Sequence, residues 1–396
     1  MANDVRNQLA SRITDFLTSL NSQLKKLVED LVQCRKANDF ADKELQFFNE
    51  ELKRMEKMLN KLLNFNIRQK STSFIGEIYL EASNSVLLLP SDNLNATVKW
   101  IQNAVCVAGG NGYGTGINQL AYPYGLFVDD DNQTIYIADS SNHRIMAWEC
   151  GSTTGRVVAG GNGQGNRADQ LNYPRDVIVD RARDSLIICD NQNKRVVRWP
   201  RQNSTSGETI ITNVECWGLT MDDNGFLYVV DYDKHEVRRY GIEDTQGTVV
   251  AGGNGQGNHL DQLNNPRYVF VDRDHTVYVS DLSNHRVMKW MEDAKQGIVV
   301  AGGQGQGSAL TQLSYPDGMV VDESGTVYVS DCGNCRIMRW PEGATQGSII
   351  AGGNGLGDQA NQLNLPTGLS SDRQGNLYVS DHHNHRVQKF NIDRSE

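Results

Sequence analysis

The sequence predicts an all-β, six-bladed β-propeller behind an α-helical coiled-coil region, and three observations carry that prediction. A Gly-rich segment recurs five times, starting at Ala108 as AGGNGYGTGINQLAYP and again at Ala159, Ala251, Ala301 and Ala351. A short apolar run ending in Asp recurs six times, at Asp139, Asp190, Asp231, Asp281, Asp331 and Asp381, with intervals of 51, 41, 50, 50 and 50 residues. Repeats of about 40–50 residues that carry several short strands are the pattern of propeller blades. Ahead of them, from Leu24 to Leu62, apolar positions follow at alternating spacings of three and four, the seam of a heptad helix.

Taken in order, residues 1–66 are the helical region, 67–100 a connector and 101–393 the propeller. Leu9, Ile13, Phe16 and Leu20 keep the helical pattern, but the step from Leu20 to Leu24 adds a stutter. The seam needs a covering partner. Self-association through residues 24–62 supplies one, and packing of two amphipathic helices on the propeller is the alternative.

Within the fourth blade, Arg267–Asp272, Val277–Asp281, Arg286–Trp290 and Gly297–Gly303 read as four strands separated by turn residues. Six first, second and third strands can be counted this way, but the sixth blade ends without a fourth. Asn103–Gly110 matches the fourth-strand pattern and precedes the first blade. The ring is therefore expected to close by pairing N-terminal with C-terminal sequence, with Cys106, Val107 and Ala108 beside Arg386–Phe390, removing open sheet edges.

Charge is uneven along the chain. The net charge is −10, and residues 101–396 carry 24 Lys and Arg against 35 Asp and Glu. An acidic propeller disfavours nucleic acid, whose phosphates want a positive surface. No apolar run is long enough to span a bilayer and the first residues lack a secretion signal, so the expectation is no membrane association and a cytoplasmic location. Seven scattered cysteines fit reduced thiols. Asn95, Asn132 and Asn203 stand in glycosylation sequons that such a location leaves unmodified.

Motifs that suggest chemistry give way to structural readings. The glycines of VVAGGNGQGN, Val157 to Asn166, invite a phosphate cradle, yet a strand rather than a helix follows them. Asp and Arg recur around the second strand of nearly every blade, and a group repeated in each blade is a loop fastener rather than a catalyst. Aromatics ending the third strands, from Trp148 to Phe390, read as blade-to-blade packing. His143, His235, His285 and His385 fall at equivalent positions in different blades, too far apart to share a metal. Cys332 and Cys335 form a lone Cys-x-x-Cys without a second pair or a βαβ context. The acidic stretch Asp129–Thr134 reads as a hairpin turn. No catalytic residue, metal site or cofactor is expected.

The segment YPYGLFVDDDNQTIYIADSSNHRIMAW resembles the NHL repeat, with Asp139/Asn142/Arg144 and its counterparts at Asp190, Asp281, Asp331 and Asp381; the third blade departs, with Lys234, His235 and Glu236. Behind a coiled coil, such propellers resemble the C-terminal part of tripartite-motif proteins, although no RING or B-box segment is present. The resemblance implies a non-enzymatic interaction scaffold, with RNA binding and a lyase or lactonase-type enzyme as alternatives. A protein partner is expected on the loop-rich face, at a notch where the junction IITNVECWGL omits about ten residues of the Gly-rich loop. Trp217 is the expected anchor there. With it go the other residues that follow the blade-opening prolines, Tyr124, Arg175, Arg267, Asp317 and Thr367, together with Asp176 and Tyr268. Asp176 occupies the place held by glycine at Gly125, Gly318 and Gly368.

Overall fold

A computed structural model describes residues 99–202, 204–241 and 244–394. The heptad region at 1–66 and nearly all of the 67–100 connector lie outside the described residues. Among the described residues, 24 strands form six four-stranded antiparallel sheets. Each blade runs outward in sequence order: β2 (Pro123–Asp129), β3 (Thr134–Asp139), β4 (Arg144–Glu149) and β5 (Arg156–Gly160) make the first. Its burial explains the order. β3 is buried along its whole length, whereas the first two residues of β5 are exposed at the perimeter.

The sixth sheet closes the ring. β1 (Val105–Gly109) pairs with β24 (Arg386–Phe390), the pairing the sequence predicts, with Cys106 opposite Gln388 and Ala108 opposite Val387. Val105 and Cys106 are exposed and only Ala108 is fully buried. The strand is therefore held more by ladder hydrogen bonds than by apolar burial. Trp100 adds a buried anchor, donating its indole N–H to the Gly375 carbonyl. Trp148, Trp199, Trp290, Trp340 and Phe390 are fully buried, and Trp199 packs with Tyr136, Ala138 and Ile145 of the blade before it.

The recurring Asp–Asn–Arg set grips the Gly-rich loop that precedes its own blade. In the first blade, Asp139 accepts from the Ala121 N–H at 2.7 Å, from Asn142 at 2.8 Å and from Arg144 Nε at 2.6 Å. Arg144 then donates to the carbonyls of Thr115, Gly116 and Gln119, so one buried side chain satisfies three loop acceptors. The same pattern recurs around Arg195, Arg286, Arg336 and Arg386. This accounts for the departure in the third blade. No Gly-rich loop precedes it, and where the others carry Asn-x-Arg, Lys234 pairs with Asp231 and Glu236 with Arg238.

A second fastener joins consecutive blades. His143, His235, His285 and His385, each in a left-handed backbone conformation, accept through Nδ1 the backbone N–H of Tyr173, Asn265, Tyr315 and Tyr122. Cys335 holds the equivalent place in the fifth blade, so one half of Cys-x-x-Cys is a variant of this seam position. Lys194 occupies it in the second blade, at the seam where the loop is missing. There a disulfide joins Cys189 of the second blade to Cys216 of the third. The expectation of reduced thiols throughout is corrected for this pair, because Cys216 stands where five blades carry the opening proline and lies against Cys189, the penultimate residue of the second strand in the neighbouring blade. Cys106, Cys150, Cys332 and Cys335 are free. The turn after Asp129 is a hairpin, with Asp129 paired to Arg201 at 2.7 Å and to Arg181 at 3.4 Å.

Candidate functional site: the central mouth

Because each first strand starts and each second strand ends on the loop-rich face, two rings of side chains converge at its centre. One is the set after the opening proline, Tyr124, Arg175, Arg267, Asp317 and Thr367, joined in the third blade by Trp217 after Cys216. The other follows the second-strand Asp and includes Tyr232, Cys332 and His382. Trp217 is central to both. The Arg267 guanidinium lies 3.5 Å and that of Arg175 4.4 Å from its ring centroid, while the rings of Tyr124 and Tyr232 lie 5.3 and 5.2 Å away. Guanidiniums stack well on indole because their planar, weakly hydrated charge meets the negative ring face.

Polar contacts tie this stack to one carboxylate. Tyr124 donates its hydroxyl to Asp317 Oδ2 at 3.0 Å and receives a short hydrogen bond from Arg267, and Arg267 lies 4.0 Å from the same carboxylate. Burial raises the pKa of Asp317, against the opposing pull of Arg267 and the Tyr124 hydroxyl. Arg175 is shifted down by burial. For Arg267 burial also acts downward, but Tyr124 and Asp317 outweigh it and the net shift is upward. His382 donates its Nδ1–H to the Pro123 carbonyl at 2.9 Å, and burial depresses its pKa to about 4, so its ring is neutral at pH 7. Burial raises the Cys332 thiol well above its ordinary range.

One layer deeper, the first strands approach so closely that a side chain at four of the six equivalent positions is excluded. A Cβ on Gly218 would sit 2.7 Å from the Arg267 carbonyl oxygen, and one on Gly318 or Gly368 would overlap the backbone of the next strand. Asp176 and Tyr268 are the two residues that depart from glycine here. Asp176 is fully buried and accepts from the N–H groups of Leu219 and Val177, each at 2.9 Å. Burial lifts its pKa to about 8, against the downward pull of the two backbone N–H groups. Below this layer an apolar cavity of about 100 Å³ is lined by Leu126, Ile178, Phe270 and Met319 among others.

The structure thus brings Tyr124, Arg175, Trp217, Arg267 and Asp317 into mutual contact. Asp176 and Tyr268 lie beneath them, and Thr367 is buried against the carbonyls of Pro123 and Tyr124. Trp217 is half-buried between two arginines rather than freely projecting. Sequence reasoning missed Tyr232, His382 and Cys332. Their signal was positional, since each directly follows a second-strand Asp. Among the described residues no three His, Cys, Asp or Glu side chains converge on a metal-sized volume, and no helix is long and apolar enough to cross a membrane.

The NHL repeat model matches residues 313–339 and 363–390, in the fifth and sixth blades. No curated protein matches the chain. Among solved structures, the chain is similar to a Bacteroides thetaiotaomicron protein of unknown function at 16% identity, with a TM-score of 0.59 over 74% of this chain and 77% of that one. It is also similar to an auxiliary nutrient binding protein from the same organism, at 17% identity and a TM-score of 0.58 over 74% and 76% of the two chains. Another auxiliary nutrient binding protein, from Bacteroides ovatus, aligns at 14% identity and a TM-score of 0.56 over 75% and 78%. At these identities the likeness is one of fold. Residues 105–390 form a six-bladed β-propeller whose fifth and sixth blades carry NHL repeats.

Proposed function

We propose that the chain is a non-enzymatic interaction scaffold whose propeller receives a protein partner at the mouth of its loop-rich face. The observation that supports this most is the Arg175–Trp217–Arg267 stack. It puts rigid aromatic surface and forked cationic donors together at the centre of a concave face, the composition of interface anchors. The two carboxyls nearby are engaged as structural acceptors, Asp176 by backbone N–H groups and Asp317 by Tyr124, which fits recognition better than acid–base chemistry. Self-association through residues 24–62 is the second half of this reading. It would present several mouths at once and raise avidity without new contacts.

Site-directed photocrosslinking of the full chain tests the location. A photoreactive side chain at exposed position 383 or 233, on the loop-rich face, should capture the partner, whereas one at exposed position 374 on the opposite face should not. Trp217→Ala should weaken capture with little loss of thermal stability. Capture from position 374 alone would place the partner on the wrong face for this reading. Light scattering should report an oligomer for the full chain and a monomer for residues 96–396.

A further inference from the structure

The mouth is unbalanced in charge. It holds two guanidiniums, Arg175 and Arg267, against one carboxylate, and that carboxylate is already engaged by Tyr124 and Arg267. Among the described residues Arg175 has no carboxylate within ion-pair distance. Donors also outnumber acceptors. Arg175 Nε, Arg267 Nε and Trp217 Nε1 are buried with no hydrogen-bond partner. The surrounding groups do not restore the balance: His382 is committed to the Pro123 carbonyl, and the oxygens of Asp176 are taken by backbone N–H groups one layer down. A buried cation held on aromatic faces, short of both counter-charge and acceptors, is stabilised by an anion that supplies the two together.

We propose that the mouth recognises a carboxylate on an acidic protein segment, with Arg175 as the principal contact and Trp217 as the platform that orients both arginines. This rests on the reading of the mouth as a partner site and names the chemistry it selects. A local surplus of one positive charge suits one carboxylate. Asp317 then acts as an internal competitor, drawing Arg267 away from the incoming group.

Calorimetric titration of the full chain with an oligo-glutamate peptide, an oligo-glutamine peptide of equal length and a single-stranded oligouridine RNA tests this. The glutamate peptide should bind, with the glutamine peptide and the RNA weaker by about tenfold or more. Arg175→Gln should weaken glutamate binding by about tenfold, Arg175→Lys by less, and Asp317→Asn should strengthen it. Opposite signs for Arg175→Gln and Asp317→Asn cannot come from a shared loss of folding. Equal binding of the two peptides, preference for the RNA, or an Arg175→Gln variant that binds as wild type would overturn the proposal. If photocrosslinks still map to positions 383 and 233 while Arg175→Gln captures the partner undiminished, the mouth remains the partner site and only the acidic chemistry is lost.

Discussion

At the scale of single residues, the strongest constraint is an aspartate that cannot be replaced without orphaning a loop. Asp281 is fully buried and accepts from the Asn264 N–H, from Asn284 and from Arg286 Nε, at 2.7, 2.8 and 2.7 Å. Removing it leaves a buried guanidinium and a backbone N–H unpaired, which costs about 3–5 kcal/mol. Asp281→Ala is therefore expected to lower the melting midpoint far more than Asp261→Ala, since Asp261 is only half-buried and serves mainly through its carbonyl, which Asn254 Nδ2 contacts. A denaturant titration of the two variants checks the ranking. This Asp was legible in the sequence because it recurs at a near-constant interval, and so was its pairing with Arg. What could not be read was the Arg's destination, because the carbonyls it meets lie 24 to 28 residues upstream and carry no side-chain signature. The disulfide was obscured for a related reason. Cys189 and Cys216 look unremarkable in their own strands, and only stacking of the blades puts one against the other.

At the scale of elements, the seams between blades depend on neutral imidazoles. An Nδ1 that accepts a backbone N–H cannot do so once protonated, and burial lowers the pKa of His143, His285 and His385, with Asp190, Asp331 and His383 as the charged or titratable neighbours that modify each in turn. Because the folded-state values lie below the unfolded one, the stability these histidines contribute is fully present above about pH 6.5 and is lost as pH falls through the depressed values. The melting midpoint should drop between pH 7.5 and 5, and His143→Gln with His285→Gln should flatten that dependence in a calorimetric pH series. An unchanged slope in the double variant would show that other groups govern acid sensitivity. The mouth illustrates how far element-level reading reaches. The opening residues of the blades were recognisable as one convergent ring from their shared place after proline. The second ring was not, since Ser140, Asn191, Tyr232, Leu282, Cys332 and His382 share a position but no chemistry.

At the scale of the whole molecule, the ring is held shut in two unlike ways. Removing the closing strand, by beginning the chain at Gly110, exposes the edge of β24 and should lower the melting midpoint or cause aggregation relative to a chain beginning at Leu94. Reducing the disulfide, or replacing Cys189 and Cys216 with Ser, should remove about 3 kcal/mol and lower the midpoint by roughly 6–12 °C. Peptide mapping without reductant should recover residues 189 and 216 in one cross-linked species.

The missing loop between the second and third blades has a consequence for orientation. Six near-identical sectors would offer a visitor to the mouth six equivalent ways to lie, like a dial with no numerals. One low sector fixes a zero on that dial. A segment reaching the centre over Lys194 and Glu215, with taller loops on every other side, would enter along a single bearing, so that its chain direction is decided at the rim before any side chain touches Trp217.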